Sequence, residues 1–296
     1  MFADPLNLGG RPIDFAPYRT EFGPRNGSCI SGRPEPVLDL EQQAFCRWLL
    51  ERVGLTDAHY RPETLARRLP AVLRSVHAAS TSQARSLIER SDTTLHSAVS
   101  ALLIGVTSFF RDASVFEDLK TKVLPSIGQR IGARVWSIGC SDGSELASVA
   151  MQLCDLGLLP RCHLLGTDCR VQAVQQAQRG RYFAQQVERD VPPELIQNYF
   201  MADSTNAEYE LWSALRNTMQ FHCADALRVD ESGTCDLILC RNMAIYMRAD
   251  AVARLWKIIE DALRPGGYLV LGKAERPSGA ASLVPVSPCI FRKSRA

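Results

Sequence analysis

The sequence has little net charge and no long hydrophobic run. Its 34 Lys and Arg residues nearly balance 32 Asp and Glu residues, leaving a formal charge of +2, which argues against a general nucleic-acid-binding protein. The longest apolar runs, such as 101–106 and 268–271, are far shorter than the roughly 18 residues of a membrane-spanning helix. No basic segment followed by an apolar one opens the chain. We therefore expect a soluble, cytoplasmic protein that binds no nucleic acid and does not insert directly into a membrane. We separately expect it to be a monomer.

Metal-binding signatures are also missing. The ten cysteines include no CxxC pair, and their closest spacings match no zinc site. Only five histidines are available to complete such a site, so we expect no structural metal. Cysteines in or beside apolar, strand-like runs behave as small buried hydrophobes. The cysteines expected to be buried on this ground are Cys140, Cys162, Cys169, Cys223, Cys235 and Cys240.

The apolar pattern divides the chain into segments of different character. At about 150 residues per domain, the 296 residues suggest two domains. Residues 1–37 are rich in Pro and Gly and are predicted to form an extended or disordered leader. From Leu38 the apolar residues repeat at helical spacing, which predicts a small all-helical domain over residues 38–105. Pro70 interrupts this pattern and predicts a kink or break near Leu69.

From residue 106 onward, short apolar runs alternate with helical patterns, which is typical of a parallel α/β sheet. A tight turn is predicted at Arg264-Pro-Gly-Gly267 before the last parallel strand. The end of the chain predicts an antiparallel hairpin over 282–286 and 289–293, and the mixed segment 180–218 predicts a small insert. The predicted parallel strands are 134–139, 163–167, 219–222, 236–240 and 268–271.

A glycine-bearing turn follows the first predicted strand. Gly139-Cys-Ser-Asp-Gly143 would let the backbone approach a ligand at a helix N-terminus. It is not a GxGxxG motif, so a dinucleotide site is poorly supported, and a plain tight connection is an equal alternative. Asp168 ends the next strand, where an acidic residue is suited to accept hydrogen bonds from ribose hydroxyls. We therefore hypothesise an adenosyl-type cofactor across the strand ends.

Further polar residues follow the later strands. Asp225 comes after the third strand, Arg241 and Asn242 after the fourth, and Tyr246 just beyond. Open α/β sheets bind ligands outside the carboxyl ends of their strands. Asn242 can both donate and accept hydrogen bonds, which suits an adenine edge or an amino-acid group. Each residue alone could be a cap or turn residue, but together they predict a ligand-binding rim.

Five segments of the chain form a recognisable set of motifs: Thr107-Ser-Phe-Phe-Arg-Asp112, Val135-Trp-Ser137, Cys140-Ser-Asp-Gly-Ser-Glu145, Gly166-Thr-Asp168 and Cys240-Arg-Asn-Met-Ala-Ile-Tyr246. Together they resemble the CheR-type chemotaxis receptor methyltransferases, which are protein-glutamate O-methyltransferases. The resemblance covers about residues 38–294, and the phrase Cys-Arg-Asn followed by Ile-Tyr is specific to this family among methyltransferases.

The resemblance implies a Rossmann-like class I methyltransferase sheet with a terminal antiparallel hairpin, preceded by a small all-α domain. It implies S-adenosylmethionine as methyl donor, S-adenosylhomocysteine as product, and glutamate side chains on chemoreceptor helices as acceptors. Arg111 and Tyr246 match the positions nearest the reacting groups. With Gly139 of the glycine turn, the expected cofactor-binding residues are Thr107, Arg111, Glu145, Asp168, Asp225, Ala226, Asn242 and Met243.

The helical domain carries an excess of positive charge. Residues 61–90 hold six arginines against two glutamates, and a basic face of this kind suits an acidic helical partner. A solvated charged face without a partner is the alternative. The resemblance implies that this domain docks on a receptor, and that some members bind a receptor's C-terminal peptide through a small β insert. The arginines expected to form the docking face are Arg67, Arg68 and Arg74.

The sequence departs from the family pattern beside the expected cofactor site. Gly105 stands where the family usually has Asn, Arg170 replaces a second acidic residue after Asp168, and Glu145 is the one acidic residue kept in the glycine loop. Two alternatives therefore stay open. One is a methyltransferase acting on another protein or a small molecule, which a missing β insert in 180–218 would favour. The other is a binding module that keeps the fold without turnover.

Overall fold

The computed structural model describes residues 36–295, except 104, 106 and 230–232. The leader predicted over residues 1–37 therefore lies outside the described residues, apart from its last two positions. Within the described part, the chain folds into two compact units. The helical unit holds residues 36–103 and Tyr246–Ala251, and the sheet unit holds Gly105–Ile245 and 252–295. None of the helices in these described ranges has the length and apolar character needed to cross a membrane.

The helical unit contains four α-helices around an apolar centre. The first begins at a capping box, in which Asp39 and Gln42 each accept the other's backbone N–H, so the chain enters the helix with satisfied donors. Leu49, Val72 and Ala98 are fully buried between the helices. The helices are α1 (Leu40–Glu51), α2 (Pro62–Ser75), α3 (Thr81–Ile88) and α4 (Asp92–Leu102), with a short 3₁₀ helix at Asp57–His59.

Of the kink or break predicted near Leu69, the break is wrong, and the kink stays a prediction. Helix α2 runs continuously from Pro62 to Ser75 with Pro70 inside it. A proline removes one backbone hydrogen bond and crowds the preceding turn. Leu69 and Val72 are buried on either side of Pro70, so packing of the apolar face offsets the lost bond and holds the helix together.

The sheet unit is built on a seven-stranded sheet with the order β6-β2-β1-β7-β8-β10-β9. The first five strands of this order are parallel, and β10 pairs antiparallel with both β8 and β9. The predicted Rossmann-like sheet with its terminal hairpin is therefore confirmed. The strands of the chain are β1 (Ala133–Ile138), β2 (Cys162–Asp168), β3 (Arg181–Phe183), β4 (Phe200–Asp203), β5 (Glu208–Leu211), β6 (Met219–Cys223), β7 (Cys235–Cys240), β8 (Leu263–Leu271), β9 (Leu283–Ser287) and β10 (Ile290–Lys293).

Helices lie between β1 and β2, between β2 and β6 and between β7 and β8. The strand order reverses between β1 and β7, where open α/β sheets bind their ligands. The central strands are buried on both faces: Trp136 and Ile138 of β1 are almost fully inaccessible to solvent. The remaining helices are α5 (Ala113–Asp118), α6 (Leu124–Ile127), α7 (Ser144–Asp155), α8 (Val171–Arg179), α9 (Ala184–Asp190), α10 (Pro193–Tyr199), α11 (Ser213–Arg216) and α12 (Ala249–Ala262).

Three local predictions need correction or completion. The turn at 264–267 does not precede the last parallel strand but lies inside β8, as an irregularity in its pairing with β7 that Gly266 accommodates at φ +82°. Cys140, Cys235 and Cys240 are buried as expected, but Cys162 and Cys169 are only partly buried, and Cys223 is exposed because it ends the edge strand β6. The insert in 180–218 contains a second, antiparallel sheet of order β3-β5-β4.

Candidate active site

The glycine turn after β1 adopts a conformation that most residues avoid. Gly139, Ser141 and Gly143 all have positive φ angles, of +69°, +53° and +83°. A Cβ on Gly143 would lie 2.9 Å from the Cβ of Ala177, so only glycine fits there. A Cβ on Gly139 would lie 3.0 Å from the sulfur of Met243. The fold therefore brings two predicted cofactor residues, Gly139 and Met243, against each other at the end of β1.

Thr107 contacts the start of helix α7, and Glu145 is the second residue of that helix. The Thr107 hydroxyl lies 3.1 Å from the hydroxyl of Ser144. The Glu145 carboxylate accepts a hydrogen bond from the Ser137 hydroxyl at 2.9 Å and one from Arg241 at 3.2 Å. Glu145 is thus held by side chains from two neighbouring strands, which leaves its orientation fixed.

Arg241, at the end of β7, clamps the turn that carries Arg111. Its side chain is only 2% exposed, and its Nη2 donates to the Arg111 carbonyl at 2.7 Å and to the Asp112 carboxylate at 2.9 Å. The turn is strained, because Phe110 and Asp112 have φ angles of +48° and +61°, in the left-handed region that non-glycine residues rarely adopt. The sequence placed Arg241 on the rim, but this clamping role depends on contacts that only the fold reveals.

Replacing Arg241 with lysine is expected to lower the free energy of unfolding by about 2 kcal/mol, because one ammonium cannot serve Glu145, Asp112 and the Arg111 carbonyl together. Denaturant unfolding measures the change. Arg189→Lys is the matched control, since Arg189 pairs with Asp190 while 63% exposed and is expected to change stability by less than about 0.5 kcal/mol. Equal stability of the two variants would show that Arg241 does not hold the turn.

Glu275 fixes the backbone that follows β7. Its carboxylate is almost fully buried and accepts backbone N–H bonds from Asn242 at 2.8 Å, Met243 at 3.0 Å and Ala244 at 2.9 Å. A fourth bond comes from Gly272 at 2.9 Å. These bonds hold Asn242 at a φ of +58°. Glu275 was not among the predicted site residues, because nothing in the local sequence indicates that its carboxylate reaches the rim.

Two buried oxygens at the rim have no hydrogen-bond partner among the described residues: Asn242 Oδ1 and Asp225 Oδ2. The other Asp225 oxygen accepts from the Leu227 backbone N–H at 3.0 Å, and Arg228 approaches Oδ2 only to 3.6 Å. A buried acceptor without a donor is costly. Donors on a ligand, such as hydroxyl or amino groups of an adenosyl compound, would satisfy both oxygens, so these residues fit the expected cofactor.

Asp168 is engaged by the protein itself. Its Oδ1 accepts from the Arg170 backbone N–H at 2.9 Å and from Arg170 Nε at 3.0 Å. Its Oδ2 accepts from the Ser141 backbone N–H at 2.9 Å and from Arg170 Nη2 at 3.1 Å. Burial opposes the charged form of Arg170, but the Asp168 charge and hydrogen bond outweigh it and raise the pKa of Arg170. The carboxylate predicted to receive ribose hydroxyls is therefore paired with an arginine.

The remaining predicted residues lie in different places. Ala226 lies next to Asp225 and is partly buried, as is Arg111. Tyr246 ends a 3₁₀ helix at Ala244–Tyr246 and belongs to the helical unit, where its carbonyl accepts the Arg61 backbone N–H at 3.1 Å. Its predicted place beside the reacting groups stays a prediction.

The strand order, with a glycine turn after β1 and a polar rim at the carboxyl ends of the parallel strands, defines a Rossmann-like methyltransferase sheet. Residues 105–289 match the model of the CheR methyltransferase, SAM binding domain. Because this match covers more than half of the chain, the protein belongs to the CheR methyltransferase family. Its cofactor is S-adenosylmethionine.

Curated relatives agree with this assignment. The chain is 33% identical over 189 residues to chemotaxis protein methyltransferase 1 of Pseudomonas aeruginosa, covering 60% of this chain and 68% of that one. It is 26% identical over 252 residues to chemotaxis protein methyltransferase 1 of Vibrio cholerae, covering 82% and 91%. A 104.1 kDa protein of Rhodobacter capsulatus is 31% identical over 224 residues, but there the match covers 73% of this chain and only 23% of the relative.

Proposed function

We propose that the protein transfers the methyl group of S-adenosylmethionine to glutamate side chains on the cytoplasmic helices of a chemoreceptor, forming methyl esters in the cytoplasm. The observation that carries the proposal is the strained turn at Phe110–Asp112, held by Arg241. This clamp fixes the backbone of Arg111, the residue that matches the family position nearest the reacting groups. The relatives named as chemotaxis methyltransferases support the acceptor.

The proposed reaction requires the protein mainly to position the glutamate carboxylate and the methyl donor relative to each other. When bound, S-adenosylmethionine supplies an electrophilic methyl group on a sulfonium centre. A glutamate side chain, with an ordinary pKa of about 4.3, is ionised at neutral pH and needs no general base. Holding the reactants in line can lower a barrier by roughly 7 to 11 kcal/mol in favourable cases. Arg111 would hold a carboxylate through a forked pair of hydrogen bonds.

The residues that would hold the cofactor lie along the rim. Asp225 and Asn242 offer the unpaired oxygens described above, and Gly139 and Met243 bring the turn and the β7 loop into contact. Thr107, Glu145 and Ala226 flank these positions. Asp168 is paired with Arg170, so a ribose can bond to its carboxylate only if the Arg170 side chain moves away.

Exposed side chains at two of the three arginines expected to form the docking face support the binding of an acidic protein partner by the helical unit. Arg67 and Arg74 are exposed and lie seven residues apart on α2, so they share one face. Arg68 instead donates to the Ala101 carbonyl through Nε at 2.9 Å and Nη2 at 2.6 Å, which satisfies an acceptor at the end of α4. We propose that Arg67 and Arg74 contact the receptor and that Arg68 is structural.

The antiparallel sheet β3-β5-β4 also favours a protein acceptor. A missing β insert would have favoured a small-molecule methyltransferase, but Arg181–Phe183, Phe200–Asp203 and Glu208–Leu211 form such an insert. A short antiparallel sheet offers an edge to which an extended peptide can add as a strand. We propose that this insert takes part in receptor binding.

The proposal is tested by incubating the full chain with methyl-labelled S-adenosylmethionine and purified cytoplasmic fragments of candidate receptors. We expect label on the receptor that is released by mild base, since a methyl ester hydrolyses under conditions that leave methylated nitrogen intact. Base-stable label would indicate another acceptor group. Cofactor binding without any transfer to receptor fragments would favour a binding module or a different acceptor.

Reversing the charge of the docking face is expected to weaken transfer without affecting the cofactor. In Arg67→Glu/Arg74→Glu, kcat/KM for a receptor fragment should fall about tenfold or more, because opposite charges speed encounter. The affinity for S-adenosylhomocysteine should stay unchanged. The control Lys122→Glu/Lys257→Glu makes the same change of net charge at two exposed lysines of the sheet unit. If both double variants lose the same activity, the face on α2 is not the docking site.

A further inference from the structure

The guanidinium of Arg170 occupies the place that a ligand would need on Asp168. Asp168 and Arg170 are both buried, and their side chains form two hydrogen bonds, at 3.0 Å and 3.1 Å. Arg170 Nη2 also donates to the Ser141 hydroxyl at 3.1 Å. An ion pair that is buried and makes this many hydrogen bonds has a defined geometry, unlike an ion pair between mobile side chains on the surface.

Gly105 makes the pair sterically possible. A Cβ on this residue would lie 1.8 Å from Arg170 Nη1 and 2.1 Å from its Cζ, so any side chain at position 105 would collide with the guanidinium. The Gly105 carbonyl accepts a hydrogen bond from the Ser141 hydroxyl at 2.9 Å. The position of the Arg170 guanidinium therefore depends on glycine at 105, although the two residues are far apart in the sequence.

The hydrogen bonds to Asp168 separate into two kinds. Those from the backbone N–H groups of Ser141 and Arg170 hold the carboxylate at the end of β2 and can remain when a ligand binds. Those from the Arg170 side chain use the remaining acceptor sites, because a carboxylate has about four such sites in total. A ribose can therefore reach Asp168 only by replacing the guanidinium.

We propose that Arg170 competes with the ribose hydroxyls of S-adenosylmethionine for Asp168, so that displacement of its guanidinium determines the affinity for the donor. The inference rests on the donor of the proposed function and not on its acceptor. Arg170 is therefore a residue that sets the affinity of the donor site. It lowers the affinity for adenosyl ligands, and Gly105 provides the space that its guanidinium occupies.

Two substitutions that remove the guanidinium by different means test this inference. Arg170→Ala deletes it. Gly105→Ala keeps it in the chain but leaves no room for it beside Asp168, and the backbone at 105 is outside the left-handed region, so alanine can be accommodated. We expect each variant to bind S-adenosylhomocysteine about tenfold more tightly than the unmodified chain. The ribose hydroxyls then bond to Asp168 without first breaking the hydrogen bonds between Asp168 and the Arg170 side chain.

Calorimetric titration of the full chain with S-adenosylhomocysteine gives the dissociation constants. The double variant Gly105→Ala/Arg170→Ala should bind no more tightly than Arg170→Ala, because the group that alanine at 105 displaces is already gone. Arg189→Ala is the matched control, since it removes an arginine from an exposed Asp pair and should leave the constant unchanged.

Equal or weaker binding by both single variants would overturn the inference, because Arg170 would then be neutral or would help to hold the ligand. Tighter binding by Gly105→Ala alone would still support it, since that variant keeps the arginine and its charge. Tighter binding without methyl transfer to receptor fragments would leave the inference standing and contradict the proposed acceptor. Absence of binding by every variant would overturn both.

Discussion

Arg111→Ala is expected to reduce methyl transfer at least about a hundredfold, the loss typical of removing one hydrogen-bond donor that stabilises a transition state, while the fold stays intact. The backbone and the side chain of this residue are expected to have separate roles. Arg241 holds the Arg111 carbonyl, and not its side chain, at 2.7 Å, so alanine keeps the bond that fixes the turn. What alanine loses is the guanidinium fork that would align a carboxylate.

Initial rates with labelled donor and a receptor fragment measure this effect, and thermal unfolding checks the fold. Arg111→Lys should recover only part of the rate, because an ammonium keeps the charge without the fork. Arg130→Ala is the matched control: Arg130 pairs with Asp236 at 3.7 Å while 55% exposed and should have no effect on rate. Unchanged turnover in Arg111→Ala would remove Arg111 from the mechanism.

Glu275→Gln is expected to lower both stability and cofactor affinity. Each oxygen of Glu275 accepts two backbone N–H bonds, so an amide must turn its NH₂ group toward two N–H donors. We expect a loss of about 3 kcal/mol in the free energy of unfolding, in the range for hydrogen bonds to a charged group in a buried network. Since these bonds hold Asn242 and Met243, binding of S-adenosylhomocysteine should weaken about tenfold or more.

Denaturant unfolding and calorimetry measure the two effects separately. Glu89→Gln is the control, because Glu89 makes an exposed pair with Arg85 and the same change there should cost less than about 0.5 kcal/mol. Normal stability and normal cofactor affinity in Glu275→Gln would show that the loop after β7 holds its shape without the carboxylate.

Much of the fold could be predicted because the relevant patterns are local. The runs around Val135, Leu164 and Leu237 identify β1, β2 and β7, since strands buried on both faces need continuous apolar residues. The antiparallel sheet of the insert could not be predicted in the same way. Its strands have only three or four residues, and Phe183 and Met201 are exposed, so no alternating apolar pattern marks them.

Part of the candidate site followed from one topological rule. Residues after parallel strands meet at one edge of the sheet, which placed Gly139, Asp168, Asp225 and Asn242 on the same rim. Their partners could not be predicted. Glu275 accepts the Asn242 backbone N–H from another strand connection, and the sequence around Glu275 does not indicate which backbone groups its carboxylate will contact.

By itself the sequence determined the class of fold, the family and the positions of the rim, since periodicity, turn chemistry and motif spacing are properties of short segments. Only the tertiary structure decided what those residues do to one another. It set Arg170 on Asp168 in the space left by Gly105, and it made Arg241 the clamp of the Arg111 turn. The physical reason is that burial and pairing of charges depend on which distant segments come into contact, and the sequence around each charge does not contain that information.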